Sequence, residues 1–91
     1  MAIRVEFYGI ARQRAGISEL ELAVPPGGLK LSQALAELAR RLPQWGRECI
    51  SGSRLHQSLT ANLDGTRFVS DPATLICDGQ SLLILSADAG G

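Results

Sequence analysis

An α+β fold is expected, with a mixed sheet of four to five strands and one main helix packed across it. Three observations predict it. Two segments near the start alternate apolar and polar residues with period two, as half-buried strands do. A stripe of four leucines then recurs at helical spacing. Finally, Leu82, Leu83, Ile84 and Leu85 are apolar at every position, which suits a central strand covered on both faces. At 91 residues the chain is one domain, and 45% hydrophobic residues suffice for one core.

In the first strand Ile3, Val5 and Phe7 alternate with Arg4, Glu6 and Tyr8. Residues 9–16, with a glycine at each end, form a connection with room for a helical turn. Leu20, Leu22 and Val24 alternate with Glu19 and Glu21, giving a second strand antiparallel to the first. Pro25, Pro26, Gly27 and Gly28 cannot continue it. The helix follows, with Leu31, Leu35, Leu38 and Leu42 on one face, Ser32 as a candidate N-cap, and Arg40 and Arg41 complementing its C-terminal dipole. Pro43 marks its end.

Residues 44–58 lose all periodicity at Gly46, Ser51, Gly52 and Ser53, and are expected to form a surface loop with one short turn at most. A strand at 59–63 then turns at Asp64 and Gly65 into a short strand at 66–69. Asp71 with Pro72, and Asp78 with Gly79, make two further turns, between which Leu75 and Ile76 are expected to pack inward. With the last strand placed beside the first, the order is strand, strand, helix, strand, strand, strand. That is the β-grasp arrangement. A ferredoxin-like split βαβ fold would need a second long helix, which residues 44–58 supply poorly. The expected division is a β-grasp domain over 1–85 and a flexible tail over 86–91.

Composition narrows the function. Nine basic residues balance nine acidic ones, whereas phosphate-backbone binding needs a positive excess. Trp45, Tyr8, Phe7 and Phe68 are the only aromatic residues, too few for a base-stacking platform. Neither a nucleic-acid nor a membrane partner is expected. The first residues lack an apolar core of signal-peptide length, and no run approaches a membrane span, so a reduced cytoplasmic setting is expected. Cys49 and Cys77 have neither metal-ligand nor Cys-x-x-Cys spacing, and no metal or bound cofactor is expected. A lone disulfide between them is left open. Cys77 reads as a small apolar residue rather than a sulfur relay, and His56 as a solvated loop residue. Arg12 and Arg14 read as solvated charges, although an acidic partner could dock there. Tyr8 and Phe68 could line a partner-binding face of the sheet, while for Phe68 a place at the edge of the core serves as well.

The chain ends in Ala89, Gly90 and Gly91. Two terminal glycines leave a carboxylate on a strip of backbone without side chains, able to thread a channel that any Cβ would obstruct. Extended from a rigid central strand, residues 86–91 reach about 20 Å. A C-terminal carboxylate, with an ordinary pKa of about 3.5, is ionised at neutral pH and is a poor electrophile. Chemistry on it requires activation, and the chain has no Gly-x-x-x-x-Gly-Lys loop for ATP. The activating enzyme would therefore be a partner, and the domain a carrier rather than a catalyst.

The opening Ile3-Arg4-Val5-Glu6-Phe7-Tyr8-Gly9-Ile10-Ala11-Arg12, with Ala15-Gly16 after it, resembles that of the MoaD/ThiS sulfur-carrier family. The helix end from Leu35 to Pro43, Asn62-Leu63-Asp64-Gly65, Asp78-Gly79 and Gly90-Gly91 resemble the family as well. The resemblance implies a ubiquitin-like β-grasp fold and a non-catalytic role, most like the small subunit of molybdopterin synthase in molybdenum cofactor biosynthesis. It implies that Gly91 is adenylated by an ATP-dependent activating enzyme of MoeB/ThiF type and converted by a sulfur donor protein to a thiocarboxylate. It further implies that Gly91, Gly90 and Ala89 thread into the large synthase subunit. The family commonly has prolines or apolar residues before the glycines, where this chain has Ser86, Ala87, Asp88 and Ala89. Three alternatives stay open: a thiamin-type carrier, a ubiquitin-like protein modifier, and a β-grasp interaction module with incidental glycines.

Overall fold

The computed structural model describes residues 1–90, with side chains through Asp88. Strand β1 (Ala2–Phe7) leads into helix α1 (Gly9–Ala15) and strand β2 (Glu19–Ala23). A two-residue strand β3 (Leu29–Lys30) then runs directly into helix α2 (Leu31–Arg41), followed by helix α3 (Pro43–Cys49). Strands β4 (Ile50–Ser51) and β5 (Arg54–Leu55) pair in a small hairpin. Strands β6 (Leu59–Leu63), β7 (Arg67–Val69), β8 (Leu75–Ile76) and β9 (Ser81–Ser86) follow, and Ala87–Gly90 make one helical turn, α4.

Five strands form one mixed sheet in the order β2-β1-β9-β6-β7. β1 is antiparallel to β2 and parallel to β9, and β6 is antiparallel to both β9 and β7. The last strand is thus central and lies against the first, the β-grasp topology. The hairpin between β6 and β7 turns on Asp64 (φ 58°) and Gly65 (φ 73°), two successive left-handed residues, which suits the right-handed twist of the flanking strands.

One face of the sheet carries the core. Ile3, Val5, Phe7, Leu22, Ala61, Leu63, Leu82 and Ile84 are buried there, with Leu31, Ala34, Leu35 and Leu38 of α2 buried opposite. Each such leucine stabilises the fold by roughly 1.5–3 kcal/mol relative to exposure. The all-apolar final strand divides between the faces: Leu82 and Ile84 are fully covered, whereas Leu83 and Leu85 are half-buried on the open side.

Residues 44–58 are not a loop. Pro43 occupies the first turn of α3, where its missing N–H costs nothing, and Trp45 and Cys49, four apart, turn the same side inward. Trp45 is 1% exposed, meets Phe7 edge-on with ring centroids 5.4 Å apart, and donates its indole N–H to the Ala11 carbonyl at 3.2 Å. That bond gives a large apolar side chain its polar partner and ties α3 to α1. Gly46 lets α3 approach α2, because a Cβ there would stand 2.7 Å from the Ala39 Cβ and 2.9 Å from its Cα.

Two smaller expectations are corrected. The N-cap of α2 is Lys30, not Ser32, because Leu31 is already helical; the Gln33 side chain turns back to accept the Lys30 N–H at 2.9 Å. Of Leu75 and Ile76 only Ile76 is buried, since adjacent residues of a strand point to opposite sides.

Candidate functional site

Because β1 and β9 are parallel, the end of β9 lies beside the end of β1 and the start of α1. The Tyr8 N–H donates to the Ile84 carbonyl at 2.9 Å, and the Ile10 N–H reaches the Ser86 hydroxyl at 3.5 Å. On the other side the Ala87 N–H donates to the Ser58 carbonyl at 2.9 Å, extending the β6–β9 ladder one step past Ser86. The root of the C-terminal segment is therefore fixed from both sides. Ser86 itself belongs to the strand.

Of the three residues expected to carry the chemistry, Ala89 and Gly90 fall in the helical turn Ala87–Gly90. Gly91 lies outside the described residues. Two residues to which sequence reasoning gave no part in the tail, Ser58 and His56, support this end. The Ser58 N–H donates to the His56 Nδ1 at 3.2 Å, and the Ser58 hydroxyl lies 2.9 Å from the same nitrogen. His56 is exposed, as expected for a loop residue, but it closes the turn whose carbonyl holds Ala87. A Ser or His before an apolar strand carries no distinctive pattern, so only the pairing of β6 with β9 reveals it.

The open face of the sheet runs up to this root. Glu6, Leu83, Asn62 and Phe68 stand in register across β1, β9, β6 and β7. Leu85 pairs with Thr60 one step nearer the tail. Phe68 is 54% exposed and Tyr8 43%, so Phe68 belongs to the open face, not to the edge of the core. The Tyr8 hydroxyl donates to the Glu6 carboxylate, and that bond, with the negative charge beside it, raises the phenol above its ordinary value. Asn62 is 8% exposed, and its Oδ1 is buried without a hydrogen-bond partner. A short apolar surface rimmed by polar groups is the character of a protein-docking patch rather than of a pocket for a small molecule.

The remaining candidates sit elsewhere. Arg12 and Arg14 are exposed on α1. Cys49 is fully buried and Cys77 exposed, and both are free thiols. Burial pushes the Cys49 thiol above its ordinary value, although the Arg14 guanidinium, 4.0 Å from the sulfur, pulls the other way. A hollow of about 400 Å³ bounded by Met1, Val24, Pro25, Pro26, Gly27, Gly28, Cys77 and Asp78 opens at the end of the sheet opposite the tail. Among the described residues no group of three or more His, Cys, Asp and Glu side chains could hold a metal ion, and no helix is long and apolar enough to cross a membrane.

No protein-family model matches the chain, and no curated protein matches it. Solved structures do. The chain is similar to SAMP1 of Haloferax volcanii, with 16% identity, a TM-score of 0.78 and coverage of 100% of both chains. It is similar to a Pyrococcus furiosus protein assigned provisionally as subunit 1 of a molybdopterin converting factor, with 22% identity, a TM-score of 0.75, and coverage of 94% of this chain and 97% of that one. It is also similar to a chain in the BexX/CysO complex of Amycolatopsis orientalis, with 20% identity, a TM-score of 0.72, and coverage of 99% and 100%. At these identities the likeness is one of fold, the ubiquitin-like β-grasp, and a fold alone does not fix a function.

Proposed function

We propose that the chain is a sulfur carrier, the small subunit of molybdopterin synthase in molybdenum cofactor biosynthesis, acting in the cytoplasm. The observation that carries the reading is the central strand β9, held through Ser86 on the α1 side and through Ala87 on the β6 side, and followed after Asp88 by Ala89, Gly90 and Gly91. Fixing the root while leaving the end without bulky side chains spares a partner the cost of ordering the whole segment. A neighbour named for a molybdopterin converting factor and one crystallised in a complex with BexX support a carrier that works by docking.

In this reading the Gly91 carboxylate attacks the α-phosphorus of ATP bound on a MoeB/ThiF-like activating enzyme, expelling pyrophosphate. The terminal sulfur of a persulfide on a sulfur donor protein then attacks the acyl carbon and AMP leaves; a thiol of that donor cleaves the resulting S–S bond, becoming the disulfide, and a thiocarboxylate remains. Gly90 and Ala89 follow Gly91 into the large synthase subunit. The domain supplies position and the terminal acyl group; it binds no cofactor, and ATP belongs to the partner. Asp88 places a negative charge just behind the threaded residues, so the partner's channel mouth should be neutral or basic.

A second reading, a protein modifier whose Gly91 forms an isopeptide bond with lysines, draws support from the similarity to SAMP1 of Haloferax volcanii, whose name denotes a small archaeal modifier protein. One experiment separates them. The purified chain is incubated with activating enzyme, ATP and sulfur donor, and its intact mass is measured. The mass gain of one oxygen exchanged for sulfur supports the carrier, whereas covalent adducts to lysines of added proteins support the modifier. Deleting Gly91 should abolish either product and leave the urea midpoint unchanged. A deletion variant that still acquires sulfur would refute both.

A further inference from the structure

The five-stranded sheet has two free edges, and each exposes unpaired backbone groups of the kind that recruit a further strand. On β2 the pairs with β1 bonded through their backbones fall at Leu20 and Leu22 and continue at Ser18 and Val24, since Ser18 accepts from Phe7 and Val24 donates to Met1. The N–H and C=O groups of Glu19, Glu21 and Ala23 consequently point outward. On β7, Arg67 and Val69 face β6, so Phe68 and Ser70 point outward. At each edge an arginine from elsewhere in the fold takes one of these outward carbonyls. Arg41, at the end of α2, donates to the Glu21 carbonyl at 2.6 Å, and Arg54, from the small hairpin, donates to the Ser70 carbonyl at 3.1 Å.

We infer that the β2 edge is a pairing surface for a second copy of this chain that Arg41 keeps closed, with Arg54 guarding the shorter β7 edge. The occupant follows from the strand itself. Two copies of β2 set antiparallel about Glu21 present each other with the same outward groups at the same spacing, so Glu21 meets Glu21 and Glu19 meets Ala23. No other sequence is required for that two-fold match. In the closed state the central acceptor of both copies is already used. A second obstacle reinforces the first, because the Glu21 carboxylates would stand directly opposite on one face, and like charges so placed are destabilising. Arg41 is exposed and β2 is five residues long, long enough to pair once unlocked, whereas β7 has three.

The test removes the charge obstacle first and the Arg41 bond second, and reads association by sedimentation velocity over a concentration series. The wild-type chain and Glu21→Thr are expected to remain monomeric, since Arg41 still occupies the carbonyl. Glu21→Thr/Arg41→Gln is expected to dimerise with a dissociation constant tighter than about 1 mM, at least about tenfold tighter than Glu21→Thr alone, because two backbone bonds are regained per dimer. In that dimer the amides at positions 19, 21 and 23 should exchange slowly with solvent. Glu21→Thr/Arg12→Gln removes the same charge from α1 and should stay monomeric. Trp45 fluorescence in urea verifies that each variant is folded, and Arg41→Met, which keeps the aliphatic stem, replaces the glutamine should that variant unfold. A monomeric, folded double variant overturns the inference. So does equal dimerisation of the Arg12 control, or a dimer whose β2 amides exchange freely.

Discussion

Replacing Gly46 by alanine tests the close approach of α3 to α2. Glycine inside an exposed helix is about 1 kcal/mol worse than alanine, so propensity alone expects Gly46→Ala to stabilise α3. The packing opposes this. A Cβ at residue 46 would lie 2.7 Å from the Ala39 Cβ and 2.9 Å from the Ala39 Cα. The second of these is backbone, which cannot swing aside as a long side chain can. Relief would require α3 to retreat from α2, loosening Trp45 against Phe7 and its bond to Ala11. Overpacking of this kind costs about 1–3 kcal/mol, so against the gain of about 1 kcal/mol in propensity the expected net change is a loss of up to about 2 kcal/mol. For a domain of this size each kcal/mol lowers the thermal midpoint by roughly 4–8 °C. Urea unfolding followed by Trp45 fluorescence measures the loss directly. Adding Ala39→Gly should recover part of it, since only the Cβ contact is removed. A raised urea midpoint in Gly46→Ala would show that the two helices do not approach as described.

Leu38, fully buried on α2, should lose about 2–5 kcal/mol on truncation to alanine, and a loss under about 0.5 kcal/mol in urea denaturation would misplace the helix face. Asn62→Leu keeps the shape of the side chain and removes the unpartnered Oδ1, so stability should stay level or rise by up to about 1 kcal/mol. A drop exceeding about 1 kcal/mol would mean the amide has a structural partner. At neutral pH a thiol reagent should label Cys77 promptly and Cys49 only after denaturant is added. Since the folded state holds the Cys49 thiol above its unfolded value, its contribution to stability is whole below the ordinary thiol range. That contribution is lost as pH rises through the folded value, and Cys49→Ala should flatten the alkaline decline in urea midpoint.

Period-two alternation in residues 3–8 and 19–24 and the leucine stripe of α2 made the sheet and main helix legible, because each has one wet face and one dry one. The final strand was placed centrally by its unbroken apolar run. Helix α3 escaped because Pro43, Gly46 and a single inward pair, Trp45 and Cys49, give seven residues too little periodicity to register. Gly46 looked like a break when it was a point of close approach. The pairing β3–β8 was equally hidden, since two residues a side hold no pattern. At the candidate site the carboxyl end was evident from its two glycines. The support at Ser58 and the apolar open face around Leu83 and Leu85 depended on strand register, which local sequence does not encode.

Placing the first and last strands side by side and parallel has a mechanical consequence. Tension between the two termini loads the β1–β9 bonds in shear, so they must yield together rather than unzip one at a time. A motor or protease that grips the carboxyl end meets this resistance first, before any part of the core is exposed. The end by which partners are proposed to take hold of the domain is thus also one through which pulling loads this ladder in shear.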